Sequence, residues 1–435
     1  MARSETGNAP SILFINQHYW PDCAATALML TDLAEYLVEQ GFDVHVLCSR
    51  GHYLSGAMEV PAEETHNGVH IHRVQATAFG RESVVGRLTD YASFLASTLG
   101  RVLAGPSYDY IVTLTTPPLL PLLGTMARAL RGQAYGIWSM DLHPDAEVAA
   151  GMFSENGLPA RLLHALNNAG YRNAEFVVDL GTYMKRRLRD KGVSGDRLHT
   201  IPVWNRKDDV APLPHDKNPL RAELGLDGKF VVMYSGNAGM AHRFEEVLAV
   251  MKRLDGHPEI EFVFVGEGPK KGRIRSFADR HDISNFRYLP YFDREDLEYS
   301  LPMADVHLMT LREEMVGIAV PGKLYGIMAA GRPVLMVGPQ ASESGETIQI
   351  SGAGRVVDPS QDEVAARTLH ETLMRLYHDD GLRAEMGKNG REAFLEHFER
   401  EMNCQAWERL IHDLAESGRD EKTEFEHRAV AQKSR

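Results

Sequence analysis

The sequence predicts an α/β protein of two doubly wound domains facing a central cleft. Three observations carry this. Short β-branched runs alternate with helix-period segments from Ser11 onward, and that alternation is the signature of parallel sheets. A second series of the same kind begins at Lys229. Between them lies NRKDDVAPLPHDKNPLRAELGLDG, rich in Pro and charge and poor in periodicity, which suits a segment joining two units. The 435 residues also exceed what one domain of about 100–200 residues holds.

In chain order, SILFI, DVHVLC, DYIVTL, AYGIWS and EFVVDL read as the strands of the first series. Leu30, Leu33, Ala34 and Leu37 mark one face of a helix between the first two, with Gly41 placed to close it. KFVVMY, EFVFVG, DVHLMT, PVLMVG and GRVVD form the second series, and Phe244, Val247, Leu248, Met251 and Leu254 share a helix face within it. The expected boundaries are an N-terminal domain over 1–205, a linker over 206–228 and a C-terminal domain over 229–395. A C-terminal helix over 396–417 is expected to pack back towards the first domain. The stretch 418–435 has almost no apolar face and is expected to be a flexible tail.

Composition narrows the function. Apolar residues at 43% and charged residues at 25% suit an ordinary globular core. The net charge of −13 argues against a dedicated nucleic-acid binder. Cys23, Cys48 and Cys404 lie far apart without metal-ligand spacing, so neither a disulfide framework nor a zinc module is expected, and a reducing compartment fits. The N-terminus is polar and SILFI is too brief for a signal-peptide core. The longest apolar candidate, IVTLTTPPLLPLLGTMARAL, is broken by Pro117, Pro118 and Pro121. A cytoplasmic protein is expected, with any membrane contact peripheral.

Strand ends that run into glycines mark the candidate chemistry, because ligands bind doubly wound sheets at the carboxyl ends of their strands. In YSGNAGMAHRFEEV, Gly236, Asn237 and Gly239 precede a helix, where backbone amides and the helix N-terminus suit a phosphate. The spacing is not G-x-G-x-x-G, and a ligand-free tight turn is the alternative. VGEGPKKGRI repeats the pattern with Glu267 and Gly268, or is a common turn before a solvated basic stretch. In VPGKLYGIMAAGRP, Pro321 fits the first helical position, Gly322 permits close approach and Lys323 adds a cation beside first-turn amides. That set suits a diphosphate; an ordinary connection is the alternative. WSMDLHPDAEVAAG puts Asp141 and His143 just after a strand, where they could orient a hydroxyl or simply bond to each other. Tyr19 and Trp20 are as plausible for packing as for sugar stacking.

Read together, ILFINQHYWPDCAATALMLTDLAEYLVEQGFDVHVLCSR, DLHPDAEVAAG, IPVWN, YSGNAGMAHRFE, VGEGP and VPGKLYGIMAAGRPVL resemble, in order, glycosyltransferase family 4. The similarity is to the bacterial branch that builds capsule, O-antigen and colanic-acid-type polysaccharides, and it runs from about Ser11 to Leu414. It implies a GT-B fold of two Rossmann-like domains. It also implies metal-independent, retaining transfer of a sugar from a nucleotide donor, with no cofactor. The donor would sit on the C-terminal domain and the acceptor on the N-terminal one.

By the same resemblance, Gly236, Asn237, Gly239 and His242 lie near the donor diphosphate, where many members carry a Lys at the position of His242. Glu267 and Gly268 line the nucleotide pocket, and Leu289, within Tyr288 to Pro290, passes beside the base. Pro321, Gly322, Lys323 and Leu324 hold the diphosphate. Asp141 and His143 face the transferred sugar, and with Lys323 they form the expected catalytic set. The usual pair of glutamates eight residues apart is missing, because Ile318 and Gly326 stand in their places. Glu313 and Glu314 lie close enough upstream to supply a carboxylate instead.

The expected activity is transfer of a hexose or N-acetylhexosamine from a UDP- or GDP-sugar to a lipid-linked saccharide acceptor. A nucleotide-sugar epimerase or phosphorylase on the same fold is one alternative. A non-catalytic nucleotide-sugar-binding member of an assembly complex is the other. Lys185, Arg186, Arg187, Arg189 and Lys191 form a basic cluster suited to an anionic inner-membrane surface, or to a solvated helix face.

Overall fold

SILFI becomes β1 (Ser11–Ile15) and DVHVLCS becomes β2 (Asp43–Ser49), paired in parallel because the helix Ala25–Glu39 carries the chain back between them. A computed structural model of the chain describes residues 10–22, 24–50, 60–77, 79, 84–359 and 364–433, so Cys23 lies outside the described residues. β3 (Glu63–His66) and β4 (Val69–Val74) form a hairpin turned by Asn67 and Gly68, both at positive φ. Then follow β5 (Tyr110–Thr113), β6 (Tyr135–Trp138), β7 (Phe176–Asp179) and β8 (Leu198–Thr200). Their order is β3-β4-β2-β1-β5-β6-β7-β8, parallel except for the hairpin.

The second sheet holds β9 (Phe230–Ser235), β10 (Ile260–Val265), β11 (Phe286–Leu289), β12 (Val306–Thr310), β13 (Val334–Val337) and β14 (Gly354–Val357). It is wholly parallel, in the order β11-β10-β9-β12-β13-β14. The chain leaves β9 to one side for β10 and returns on the other for β12, so the switch point where such sheets open a crevice lies between β9 and β12. Continuously buried runs such as IEFVFV and VHLMT are what a sheet covered on both faces requires.

The two sheets are joined by two strands of chain lying side by side. The Asn205 amide donates to the Phe398 carbonyl at 3.1 Å, and the Arg400 amide donates to the Asn205 carbonyl at 3.0 Å. Beyond this crossing the helix Arg400–Lys433 returns to the first domain. Trp407 lies edge-on to Trp138 at 4.9 Å and to Phe14 at 6.4 Å between ring centroids, while Trp138 stacks on Trp204 at 5.6 Å. The Tyr36 hydroxyl donates to Glu408 at 2.8 Å. The helix continues through Lys433, where the sequence led us to expect a flexible tail. Its last turns are rich in Glu, Lys, Arg, Ala and Gln, which extend a helix already nucleated by the buried Trp407 turn without an apolar face of their own.

Cys48 and Cys404 are free and buried, and burial holds both thiols protonated. Among the described residues, no helix is long and apolar enough to cross a membrane.

Trp407→Ala opens a cavity where the last helix meets the first sheet. We expect a loss of about 3–5 kcal/mol in denaturant unfolding. An unchanged midpoint would mean that this helix is not tied to the first domain.

Candidate active site

Three loops at the carboxyl ends of β9, β10 and β12 meet the turn before helix Lys323–Ala329. The β9 loop is pinned by its own backbone. The Gly236 amide donates to the Val265 carbonyl at 2.9 Å, and the Ala238 amide donates to the Glu267 carbonyl at 2.7 Å. The Tyr234 hydroxyl donates to the Asn237 carbonyl at 2.9 Å. Gly268, at φ +134°, makes this close packing possible: a Cβ there would collide with Asn237 Oδ1 and sit 2.7 Å from the Ala238 backbone. Gly236, at φ +126°, does the same for Lys323, whose Nζ would lie 3.2 Å from an added Cβ.

Lys323 is the electrostatic centre of the site. Its stem is partly exposed, but Nζ is buried, with no hydrogen-bond partner among the described residues. Nζ lies 3.7 Å from the centroid of the Tyr234 ring. Burial lowers its pKa to about 7, so the amine is poised between its charged and neutral forms at neutral pH. His242 stands beside it with Nδ1 donating to the Thr310 carbonyl at 2.6 Å. Burial, followed by the Lys323 charge, pushes His242 down to about 3, so the ring is neutral.

Several expected residues take other roles. Pro321 lies one residue before the N-cap, Gly322, and not at the first helical position, because the chain enters through a tight turn in which Leu324 N–H donates to the Pro321 carbonyl at 3.3 Å. Leu324 is fully buried and its amide is turned inward, so it packs in the core and does not face the cleft. Glu267 is exposed and pairs with Lys271 at 2.6 Å, and Lys271 lies over the Tyr288 ring at 5.1 Å. Leu289 accepts from the Gly266 amide at 3.1 Å. Glu313 and Glu314 sit exposed on a short turn, where Glu314 pairs with Arg312 at 3.3 Å. Asn237 is exposed and Gly239 half-buried on the β9 loop. Tyr19 is buried and Trp20 stacks on His66 at 3.7 Å, so both pack.

The N-terminal domain reaches the same turn. Asp141 forms an antiparallel bridge with Ala319, four residues before Lys323, and the Leu142 amide donates to the Ile318 carbonyl at 2.9 Å. Asp141 N–H donates to Thr115 Oγ1 at 3.1 Å. Burial pushes the Asp141 carboxyl up, against the pull of His143. His143 Nδ1 lies 2.8 Å from Glu147 Oε1. Burial opposes the charge on His143, but Glu147, joined by Asp141 and Asp145, outweighs it and raises the pKa.

Sequence reading missed four participants. Tyr234 reads as an ordinary strand residue, and Glu147 shows itself only as i+4 from His143. Glu343 accepts from the Tyr183 amide at 3.0 Å, a contact between the two domains. Asn205 fills the space beside Gly326, where an added Cβ would lie 3.0 Å from its Nδ2. Ile318 is buried as well, so both positions of the absent glutamate pair are occupied by packing.

Residues 25–204 match the family model "Glycosyl transferase 4-like domain" and residues 216–393 match "Glycosyl transferases group 1". The chain belongs to the glycosyltransferases. It is 25% identical over 389 residues to the Escherichia coli (strain K12) putative colanic acid biosynthesis glycosyl transferase WcaI, covering 85% of this chain and 93% of that protein. It is 27% identical over 263 residues to the Pseudomonas aeruginosa probable glycosyltransferase WbjE, covering 60% of this chain and 66% of that one. Among solved structures, sucrose-phosphate synthase from Thermosynechococcus elongatus matches with TM-score 0.75 at 18% identity, covering 94% of this chain and all of that one. Anabaena HepE in complex with UDP and glucose matches with TM-score 0.70 at 14% identity, covering 93% and 100%. These glycosyltransferase neighbours share the GT-B fold with this chain.

For this glycosyltransferase, Gly268→Ala is expected to cost at least about 1 kcal/mol in thermal or denaturant unfolding, because it strains φ and pushes the Asn237 loop aside. An equally stable variant would show that the two loops do not need their close contact.

Proposed function

We propose that this glycosyltransferase moves a hexose or N-acetylhexosamine, with retention, from a UDP- or GDP-sugar to a lipid-linked saccharide during cell-surface polysaccharide synthesis. The observation that carries the reading is the buried Lys323 amine, without a hydrogen-bond partner among the described residues, beside the glycine turns at Gly236 and Gly322. A cation without an internal counter-charge suits an anionic ligand, and a donor diphosphate supplies one. The HepE complexes with UDP and UDP-glucose, and the relation to WcaI, support a nucleotide-sugar donor and a polysaccharide product.

In this mechanism the enzyme chiefly positions two substrates and stabilises charge. As the bond from sugar to phosphate breaks, negative charge grows on the diphosphate. Lys323 would offset it, while the Gly236 and Ala238 amides of the β9 loop stay bonded to the Val265 and Glu267 carbonyls and hold the loop in place. His242 stays neutral, with its one ring N–H given to the Thr310 carbonyl, and so adds no charge beside the diphosphate. Asp141, held against the turn by the Ala319 bridge, would meet sugar or acceptor hydroxyls, and His143–Glu147 would keep its surroundings polar. The acceptor hydroxyl attacks from the face the phosphate leaves, and the leaving phosphate takes its proton. No step calls for a metal or an enzymic nucleophile.

A second reading, a member that binds the nucleotide-sugar without turnover, is favoured by the packed positions of Ile318 and Gly326. Membrane recruitment rests on fewer cations than the sequence suggests. Lys191 is buried against Asp145 at 2.6 Å, and Arg187 donates to the Val316 carbonyl at 2.6 Å, which leaves Arg186 and Arg189 exposed and Lys185 half-buried beside Thr200. At ~1 kcal/mol per residue these give weak attraction alone.

Lys323→Ala is expected to lower sugar transfer by at least ~100-fold in an assay against a panel of lipid-linked acceptors. Undiminished transfer would remove Lys323 from the reaction, whereas donor binding by the wild-type chain without any transfer would favour the second reading.

A further inference from the structure

A histidine cluster lies at the opposite end of the N-terminal domain from the cleft. Asp43 opens β2 and His70 is the second residue of β4, so both sit at the amino ends of strands whose carboxyl ends point towards the cleft. The parallel register pairs His45 with His70, and strand alternation puts Asp43, His45, His70 and His72 on one face. The antiparallel hairpin adds Thr65 opposite His70 and Glu63 opposite His72.

We propose that Asp43, His45 and His70 form a binding site for one divalent first-row transition-metal ion. His45 Nε2 lies 3.2 Å and His70 Nε2 3.9 Å from the same Asp43 oxygen, and the three ligand atoms all lie within 4.8 Å of one another. An ion with bonds of ~2.0–2.1 Å in tetrahedral geometry separates its ligand atoms by about 3.4 Å, so only a small contraction is needed. Asp43 and His70 can supply it, because their side chains are 47% and 48% exposed.

The outer partners suit ligation as well. A ligating histidine is oriented by a hydrogen bond from its other ring nitrogen. With Nε2 on the ion, His45 donates from Nδ1 to His72 Nε2 at 3.1 Å. His70 likewise donates from Nδ1 to Thr65 Oγ1 at 3.3 Å. His72 in turn has Nδ1 at 3.5 Å from Glu63, and Arg101, which pairs with Glu63, lies 3.3 Å from that nitrogen. The Arg101 charge therefore stays one ring removed from the ion.

Two imidazoles and one carboxylate favour Zn²⁺ and its first-row neighbours over Ca²⁺ or Mg²⁺, which take all-oxygen sets. Three protein ligands leave the solvent side for water. The ion would tie β2 to β4 at the edge of the sheet, and the site is independent of the donor reading.

The test uses the full chain, freed of metal by chelator and then equilibrated with Zn²⁺ alone, with bound metal quantified after dialysis. Wild type should hold one Zn²⁺ more per chain than the double variant His45→Ala, His70→Ala. The single variants Asp43→Asn and His70→Ala alter half-exposed side chains. Each should weaken that Zn²⁺ by at least ~10-fold while melting like wild type in chelator. Zn²⁺ should raise the wild-type melting midpoint and leave that of the double variant unchanged. Equal Zn²⁺ content and affinity in wild type and in all three variants would overturn the proposal.

Discussion

An ammonium group withdrawn from water without a counter-ion is unfavourable unless something arrives to pair with it. Lys323 is in that position. The face of Tyr234 gives it a contact worth about 2 kcal/mol when desolvated, and burial lowers its pKa to about 7. The surrounding features follow from this constraint. Gly236 is bare so that the amine can approach, and the β9 and β10 loops are bonded to each other so that neither swings in to cap it. His242 is held neutral by burial and by that same charge.

The cation sits where the two domains touch. The Asp141–Ala319 bridge joins the loop after β6 to the segment leading into Lys323, and Glu343 reaches back to the Tyr183 amide from the other domain. Arg187 and Lys191, which read as a free basic face in the sequence, instead bond to Val316 and Asp145 near this junction. The paired crossing at Asn205 and Phe398, with Trp407 locked against Trp138, sets the distance across which those contacts form. The two domains are therefore held together by this paired crossing and by one set of loop contacts.

The ten strands with unbroken β-branched runs were legible because burial on both faces demands such runs. Two of the remaining strands, β4 and β11, were hidden for identifiable reasons. β4 alternates histidine with Val69 and Ile71, and its Asn67-Gly68 turn carried a hairpin signal that the reading overlooked. β11, FRYL, is only half-buried along its length. At the site, the glycines and Lys323 were legible as candidates because strand–glycine–helix patterns mark places where backbone can be approached closely. Tyr234 was not, since a core tyrosine and a cation platform are written identically. Nor was Asn205, which closes the space beside Gly326 from about 120 residues away. Leu324 was expected at the diphosphate from the family resemblance, and the helix turns its side chain into the core.

The most direct test of the central claim is calorimetry in buffers of differing ionisation heat, using whichever of UDP-glucose, UDP-N-acetylglucosamine and GDP-mannose binds. If an amine with a free pKa of about 7 becomes fully charged against the diphosphate, binding takes up about half a proton at pH 7 and close to one at pH 9. The Lys323→Met variant should take up none. Binding heats in wild type that do not depend on the buffer at either pH would contradict the account.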